Sequence, residues 1–142
     1  MNDTQLLADL LVAAHRLTRI AAHSTGNTTP SAVWHTLSIL STDGQLRIGE
    51  LATAARVSQP SMTKVVQHLV DNGYSERIPD PEDSRASLVS VTPAGIQALA
   101  EWRTALATEL GSLFSGISAA DRTALTRVVH LLGTRTAAKP TN

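Results

Sequence analysis

The sequence predicts a mainly α, α+β protein, with about six helices and one two-stranded β hairpin in 142 residues that suit a single core. Three observations predict this class. Apolar residues recur at helical spacing through most of the chain. One stretch, residues 75–91, changes to two short runs either side of Pro79-Asp80-Pro81-Glu82-Asp83. Capping residues punctuate the boundaries.

The first helix carries Leu6, Leu7, Leu10, Leu11, Ala14, Leu17, Ile20 and Ala21 on one stripe and stops at Ser24-Thr25-Gly26-Asn27. Thr29-Pro30 opens a second, with Val33, Trp34, Leu37 and Leu40 inward, and Asp43-Gly44 closes it. Two short helices follow, their stripes being Ile48, Leu51, Ala52, Ala55 and then Met62, Val65, Val66, Leu69. Between them lies Arg56-Val57-Ser58, where Val57 is apolar enough to plug the corner and Ser58 can accept a bond from the free N–H groups of the next helix. Pro60 falls in the first turn, where no N–H partner is needed.

Asn72-Gly73 ends that helix with a residue free to turn left-handed, and Tyr74 returns the chain to the core. Residues 75–78 and 88–91 read as strands, and Thr92-Pro93 caps and opens the next helix. Its stripe of Ile96, Leu99, Trp102, Leu106, Leu110, Leu113 and Phe114 predicts a rod of about 30 Å over about twenty residues. A last helix, capped at Ser118 with Asp121 near its positive end, carries Leu125, Val128, Val129, Leu131 and Leu132, and residues 137–142 are expected to fray.

Helix, corner, helix, hairpin, helix is the order of a winged helix-turn-helix, here over residues 46–92, with a recognition helix at about 59–72 and a wing at about 75–92. With positions 62, 65, 66 and 69 inward, Gln59, Ser61, Thr63, Lys64, Gln67 and His68 lie on the open face or its flanks, next to Pro60. These are the groups that read base edges: Gln suits adenine, Lys suits guanine or phosphate, and Ser and Thr adapt to either. Arg77 and Arg85 add two cations on the hairpin.

Asp83-Ser84-Arg85 followed by Leu88-Val89-Ser90-Val91-Thr92-Pro93-Ala94-Gly95 resembles the D-x-R…L-T-x-x-G wing signature of the MarR family of bacterial transcriptional regulators. VSQPSMTKVVQHLVDNGY, residues 57–74, is similar to that family's recognition helix and its exit, so the resemblance covers nearly the whole chain. It implies a homodimer on pseudo-palindromic double-stranded DNA, usually repressing a neighbouring gene until a small anionic or phenolic compound binds. It also implies that Arg85 enters the minor groove while Asp83 holds its guanidinium, in line with the negative potential of a narrow groove. Ser84 departs from the family pattern, in which many members have a second basic residue between this Asp and Arg.

Charge argues the other way. Residues 47–92 hold Arg47, Arg56, Lys64, Arg77 and Arg85 against Glu50, Asp71, Glu76, Asp80, Glu82 and Asp83, five against six, whereas nucleic-acid modules are commonly basic. A reading head of this kind needs the acids to point away from DNA. A winged domain that binds proteins is the competing class.

The remaining composition narrows the field. With 12 basic and 12 acidic residues and no run of eighteen apolar residues, no membrane partner is implied, and the N-terminus lacks a signal-peptide arrangement, so a cytoplasmic location is expected. No Cys removes disulfides, thiolate metal sites and thiol sensing. No G-x-S-x-G elbow, phosphate loop or H-E-x-x-H helix argues for an enzyme, and no cofactor or metal is called for. His15, His23, His35, His68 and His130 are scattered, which leaves a metal-responsive regulator built on His35 and distant carboxylates as a minor alternative. The apolar stripes at residues 3–23 and 93–136 lack a partner within one subunit and predict a symmetric dimer. By analogy, Trp34 and His35 with Arg16 or Arg19 form a candidate pocket for a small aromatic or anionic effector, although Trp34 also suits plain core packing.

Overall fold

The computed structural model describes residues 1–24 and 29–137. Helices α1 (Asp3–Ser24), α2 (Ser31–Asp43), α3 (Ile48–Ala55) and α4 (Gln59–Asp71) precede strands β1 (Ser75–Pro79) and β2 (Ser87–Val91). Helix α5 (Pro93–Leu110), a 3-10 turn (Gly111–Phe114) and α6 (Ala119–Ala137) follow. The chain divides into two compact units, residues 1–109 and 110–142.

The core of the first unit has two buried clusters: Leu40, Leu51, Ala52, Met62, Val66 and Val89, and Val33, Trp34, Leu37, Leu69 and Leu99. Helix α4 supplies side chains to both, so its apolar stripe is fixed from two sides. At about 1.5–3 kcal/mol for each fully buried aliphatic side chain, that stripe decides which face of α4 stays in water. Trp34 stacks on Trp102 of α5, with ring centroids 5.2 Å apart.

The strands pair antiparallel from Ser75 with Val91 to Pro79 with Ser87. Leu46 adds a third rung on the far side of β2: its N–H donates to Val89 O at 3.2 Å, and Val89 N–H donates to Leu46 O at 2.7 Å. Pro79 therefore lies on an edge strand, where its missing N–H costs little. Gly95 brings α5 against the α4–β1 turn, since a Cβ there would stand 2.1 Å from Tyr74 O. The Thr92 hydroxyl fastens the same junction, donating to Gly73 O at 2.6 Å and accepting from Gly95 N–H at 3.1 Å.

Both short helices end in the same six-residue motif. Val57 N–H donates to Ala52 O and Arg56 N–H to Thr53 O, as Tyr74 N–H does to Leu69 O and Gly73 N–H to Val70 O. The left-handed position is Gly73 (φ 75°) after α4 but Arg56 (φ 58°) after α3. The expected plug is corrected: Val57 is 40% exposed and lines the rim of a cavity with Ala55, Ser61 and Met62 instead of filling the corner. Two boundaries also move. Helix α2 starts at Ser31 with Pro30 in the cap position, whose ring has no acceptor for a side-chain cap bond. The long rod ends at Leu110, eighteen residues and about 27 Å, because the chain tightens to a 3-10 turn from Gly111 on. The expected stop at Thr25-Gly26-Asn27 and the tail beyond Ala137 lie outside the described residues.

In the second unit Ser118 caps α6 by accepting the Asp121 N–H at 3.0 Å, as its sequence implies. Every residue of α6 is exposed in the single chain. No helix among the described residues is long and apolar enough to cross a membrane.

Candidate nucleic-acid interface

The open face of α4 follows from its buried one. With Met62, Val66 and Leu69 inward, Gln59, Pro60, Ser61, Thr63, Lys64, Gln67 and His68 are all exposed. Ser58 accepts the Ser61 N–H at 3.2 Å, and its hydroxyl donates to Ser61 Oγ at 2.8 Å, so these two serines brace the first turn. The Thr63 hydroxyl donates back to Gln59 O at 3.0 Å. Lys64 is exposed and pairs with no acid among the described residues.

Gln67 is held at both ends. Its Oε1 accepts from Arg77 Nη2 of β1 at 3.2 Å, and its Nε2 donates to Asp71 Oδ1 at 2.7 Å. This bridge ties α4 to β1 and fixes which way the amide faces.

The wing tip is built by carboxylates. Asp83 Oδ1 accepts the Arg85 N–H at 3.0 Å, and Arg85 Nε stands 3.7 Å from the same oxygen. The Arg85 side chain is 93% exposed. Asp83 therefore shapes the turn from which the guanidinium projects. At the wing root, Asp80 is only 6% exposed; its Oδ2 accepts from Arg47 Nε at 2.6 Å and lies 2.5 Å from Nη2. Its Oδ1 accepts the Glu82 N–H at 2.9 Å. That N–H and the Arg47 guanidinium hold the Asp80 carboxyl below its ordinary pKa against the opposing effect of burial, and Asp80 in turn raises the pKa of Arg47.

These pairings leave the charge count of residues 47–92 at five against six, since each ion pair cancels one charge of either sign; what they fix is where the acids are held. Glu50 accepts the Arg47 N–H at 3.0 Å, Asp71 takes Gln67, Asp80 takes Arg47, and Asp83 takes the Arg85 backbone. Four of the six acids thus satisfy local donors, and among the described residues no ion pair holds the side chains of Glu76, Glu82 or Lys64. Arg47 and Leu46 were not singled out by the sequence reading. The available signal was an arginine at the N-cap of α3, a place favoured by short acceptor side chains, since Arg has no acceptor with which to cap.

The four effector candidates do not share one cavity. Trp34 is buried in the core. His35 is exposed and lines a cavity of about 220 Å³ between α2, the end of α3 and the start of α4, with Ala32, Thr36, Val57, Ser61 and Met62. Arg19 lines a separate open groove on α1 with His15 and His23, and Arg16 is exposed outside both. Among the described residues no three His, Asp or Glu side chains gather as metal ligands.

A helix with an open polar face, braced against a hairpin whose tip carries an exposed guanidinium, is the arrangement of a winged helix-turn-helix DNA-binding protein. The MarR family model matches residues 30–87. An HTH-type transcriptional regulator of Mycobacterium tuberculosis is 30% identical over 132 residues, 92% of either chain. The HTH-type transcriptional repressor IacR of Pseudomonas putida is 27% identical over 99 residues, 70% of this chain and 59% of that one. The crystal structure of RV1404 from Mycobacterium tuberculosis matches with a TM-score of 0.72 and 26% identity, over 99% of this chain and 98% of that one. The chain belongs to the MarR family of transcriptional regulators.

Proposed function

We propose that the protein is a homodimeric repressor that binds a pseudo-palindromic operator and is released by a small-molecule effector. The observation that carries this reading is the 93% exposed Arg85 on a wing bonded to α4 through Arg77 and Gln67. Helix α4 lies in the major groove, where Gln59, Ser61 and His68 face base edges, Pro60 and Thr63 shape the first turn, and Lys64 and Arg77 meet phosphate. Gln67 joins them by exchanging its bond to Asp71 for a base edge. Arg85 enters the flanking minor groove with Asp83 fixing its turn. Residues 46–92 are the reading head, and the helices at 3–23 and 93–136 are the dimer arms.

Dimerisation is supported by apolar side chains left open on both units. Leu6, Leu7, Leu11 and Val12 of α1 are 55–71% exposed, and Leu125, Val128, Val129, Leu131 and Leu132 of α6 are 39–69% exposed. Helices in proteins draw most of their stability from tertiary packing, and a second copy covering the apolar side chains of α6 supplies it. The effector reading rests on the cavity rimmed by His35, which suits a single-ring aromatic acid and borders Ser61 of the recognition helix.

An anisotropy titration with the duplex upstream of the protein's own gene tests the reading. Binding is expected to weaken steeply with salt and to exceed binding to random duplex by about a thousandfold or more. Equal affinity for the two DNAs contradicts it, and favours the protein-binding alternative. In the same assay an aromatic-acid panel is expected to release the operator; a panel without effect contradicts the effector, and leaves the DNA reading standing.

A further inference from the structure

Beyond its strands, the wing loop is joined to α3 by the side chains of Arg47 and Asp80. Asp80, at the start of that loop, is 6% exposed. Its two oxygens divide the work: Oδ1 accepts the Glu82 N–H and so shapes the turn, while Oδ2 takes the Arg47 guanidinium. Arg47 immediately precedes α3, and its neighbour Leu46 is paired with Val89 of β2. From Asp80 to Arg85 the loop is a continuous set of short bonds. Asp80 N–H donates to Ala86 O at 3.3 Å, Ala86 N–H to Asp83 O at 3.0 Å, and Arg85 N–H to Asp83 Oδ1 at 3.0 Å. The Arg85 side chain has little anchorage of its own, 3.7 Å from Asp83 at its nearest. Where its guanidinium stands is therefore set by the loop backbone, and the tilt of that loop is set where Asp80 meets α3.

We propose that Arg47 and Asp80 are positioning residues for DNA binding, whose ion pair fixes the angle at which the wing presents Arg85. This rests on the DNA reading above. The minor groove is only about 6 Å wide, so a guanidinium entering it tolerates little lateral error. Two other roles for the same pair make different forecasts. If Arg47 were itself a phosphate ligand, Asp80 would be its competitor, and neutralising Asp80 would strengthen binding. If the pair served only stability, its loss would lower the melting temperature and leave the affinity of the folded protein unchanged.

The test is a cycle on the full chain, measured by anisotropy on the operator duplex well below the melting temperature. The proteins are wild type, Asp80→Asn, Arg85→Ala and the double variant. Asparagine keeps an oxygen for the Glu82 N–H and removes the charge that holds Arg47. The expected result is binding about fivefold weaker for Asp80→Asn in the wild-type background and changed by about twofold or less in the Arg85→Ala background. Its salt slope should match the wild type, since no phosphate contact is lost. Arg47→Met, at a side chain 42% exposed, is the second variant and should show the same coupling to Arg85 if Asp80→Asn fails to fold. Stronger binding by Asp80→Asn, equal losses in both backgrounds, or no loss while Arg85→Ala weakens binding each overturn the positioning role alone. A wild type with no operator preference overturns the DNA reading and this one with it.

Discussion

Arg56 shows how a single residue can carry a cost the fold does not require. It holds a left-handed conformation that glycine adopts freely, at the corner between α3 and α4. Arg56→Gly is expected to stabilise the protein by about 0.5–1 kcal/mol, the left-handed penalty less glycine's extra chain entropy. Thermal unfolding should show the rise, and an unchanged or lower midpoint would contradict the conformational account. Asp80 gives a pH-dependent expectation. Its folded pKa lies below the ordinary 3.8, so its charge contributes stability above that value, and the contribution is lost as pH falls through the depressed folded value. Asp80→Asn should therefore flatten the stability profile below about pH 4. Urea midpoints measured from pH 3 to pH 7 check it; a variant that keeps the wild-type slope on the acid side would count against the pair.

At the scale of elements, the junction of α4, β1 and α5 is set by close approach. A methyl at Gly95 would meet Tyr74 O and Val91 Cγ2 together, and a backbone carbonyl cannot rotate aside as a side-chain tip can. Gly95→Ala is expected to cost about 2–4 kcal/mol, and a denaturant midpoint within error of wild type would contradict the contact. Ser58→Ala, which removes the cap of α4, should cost about 1 kcal/mol by the same measurement. Most of these elements were legible in the sequence because local rules fix them: the inward stripe of Met62, Val66 and Leu69, the Ser58 cap, the Gly73 exit and the Thr92 cap of α5 all depend on neighbours within a few positions. What was not legible depends on distance along the chain. Arg47 meets Asp80 across 33 residues, and Trp34 meets Trp102 across a larger gap, so no periodicity announces either contact.

At the scale of the whole molecule, the open apolar side chains of α1 and α6 are the surface that the proposed second copy covers. Light scattering should give twice the 15.0 kDa of one chain, and Val129→Glu should lower that mass at micromolar concentration. A wild-type monomer would remove the two-fold axis on which paired recognition depends. With the axis present, two α4 helices meet half-sites about 34 Å apart on one side of the duplex. Hydroxyl-radical footprinting of the upstream DNA tests this most directly. The account predicts paired protection about one helical turn apart, with flanking minor-groove protection that disappears in Arg85→Ala. A single protected patch, or flanks that persist without Arg85, would contradict it.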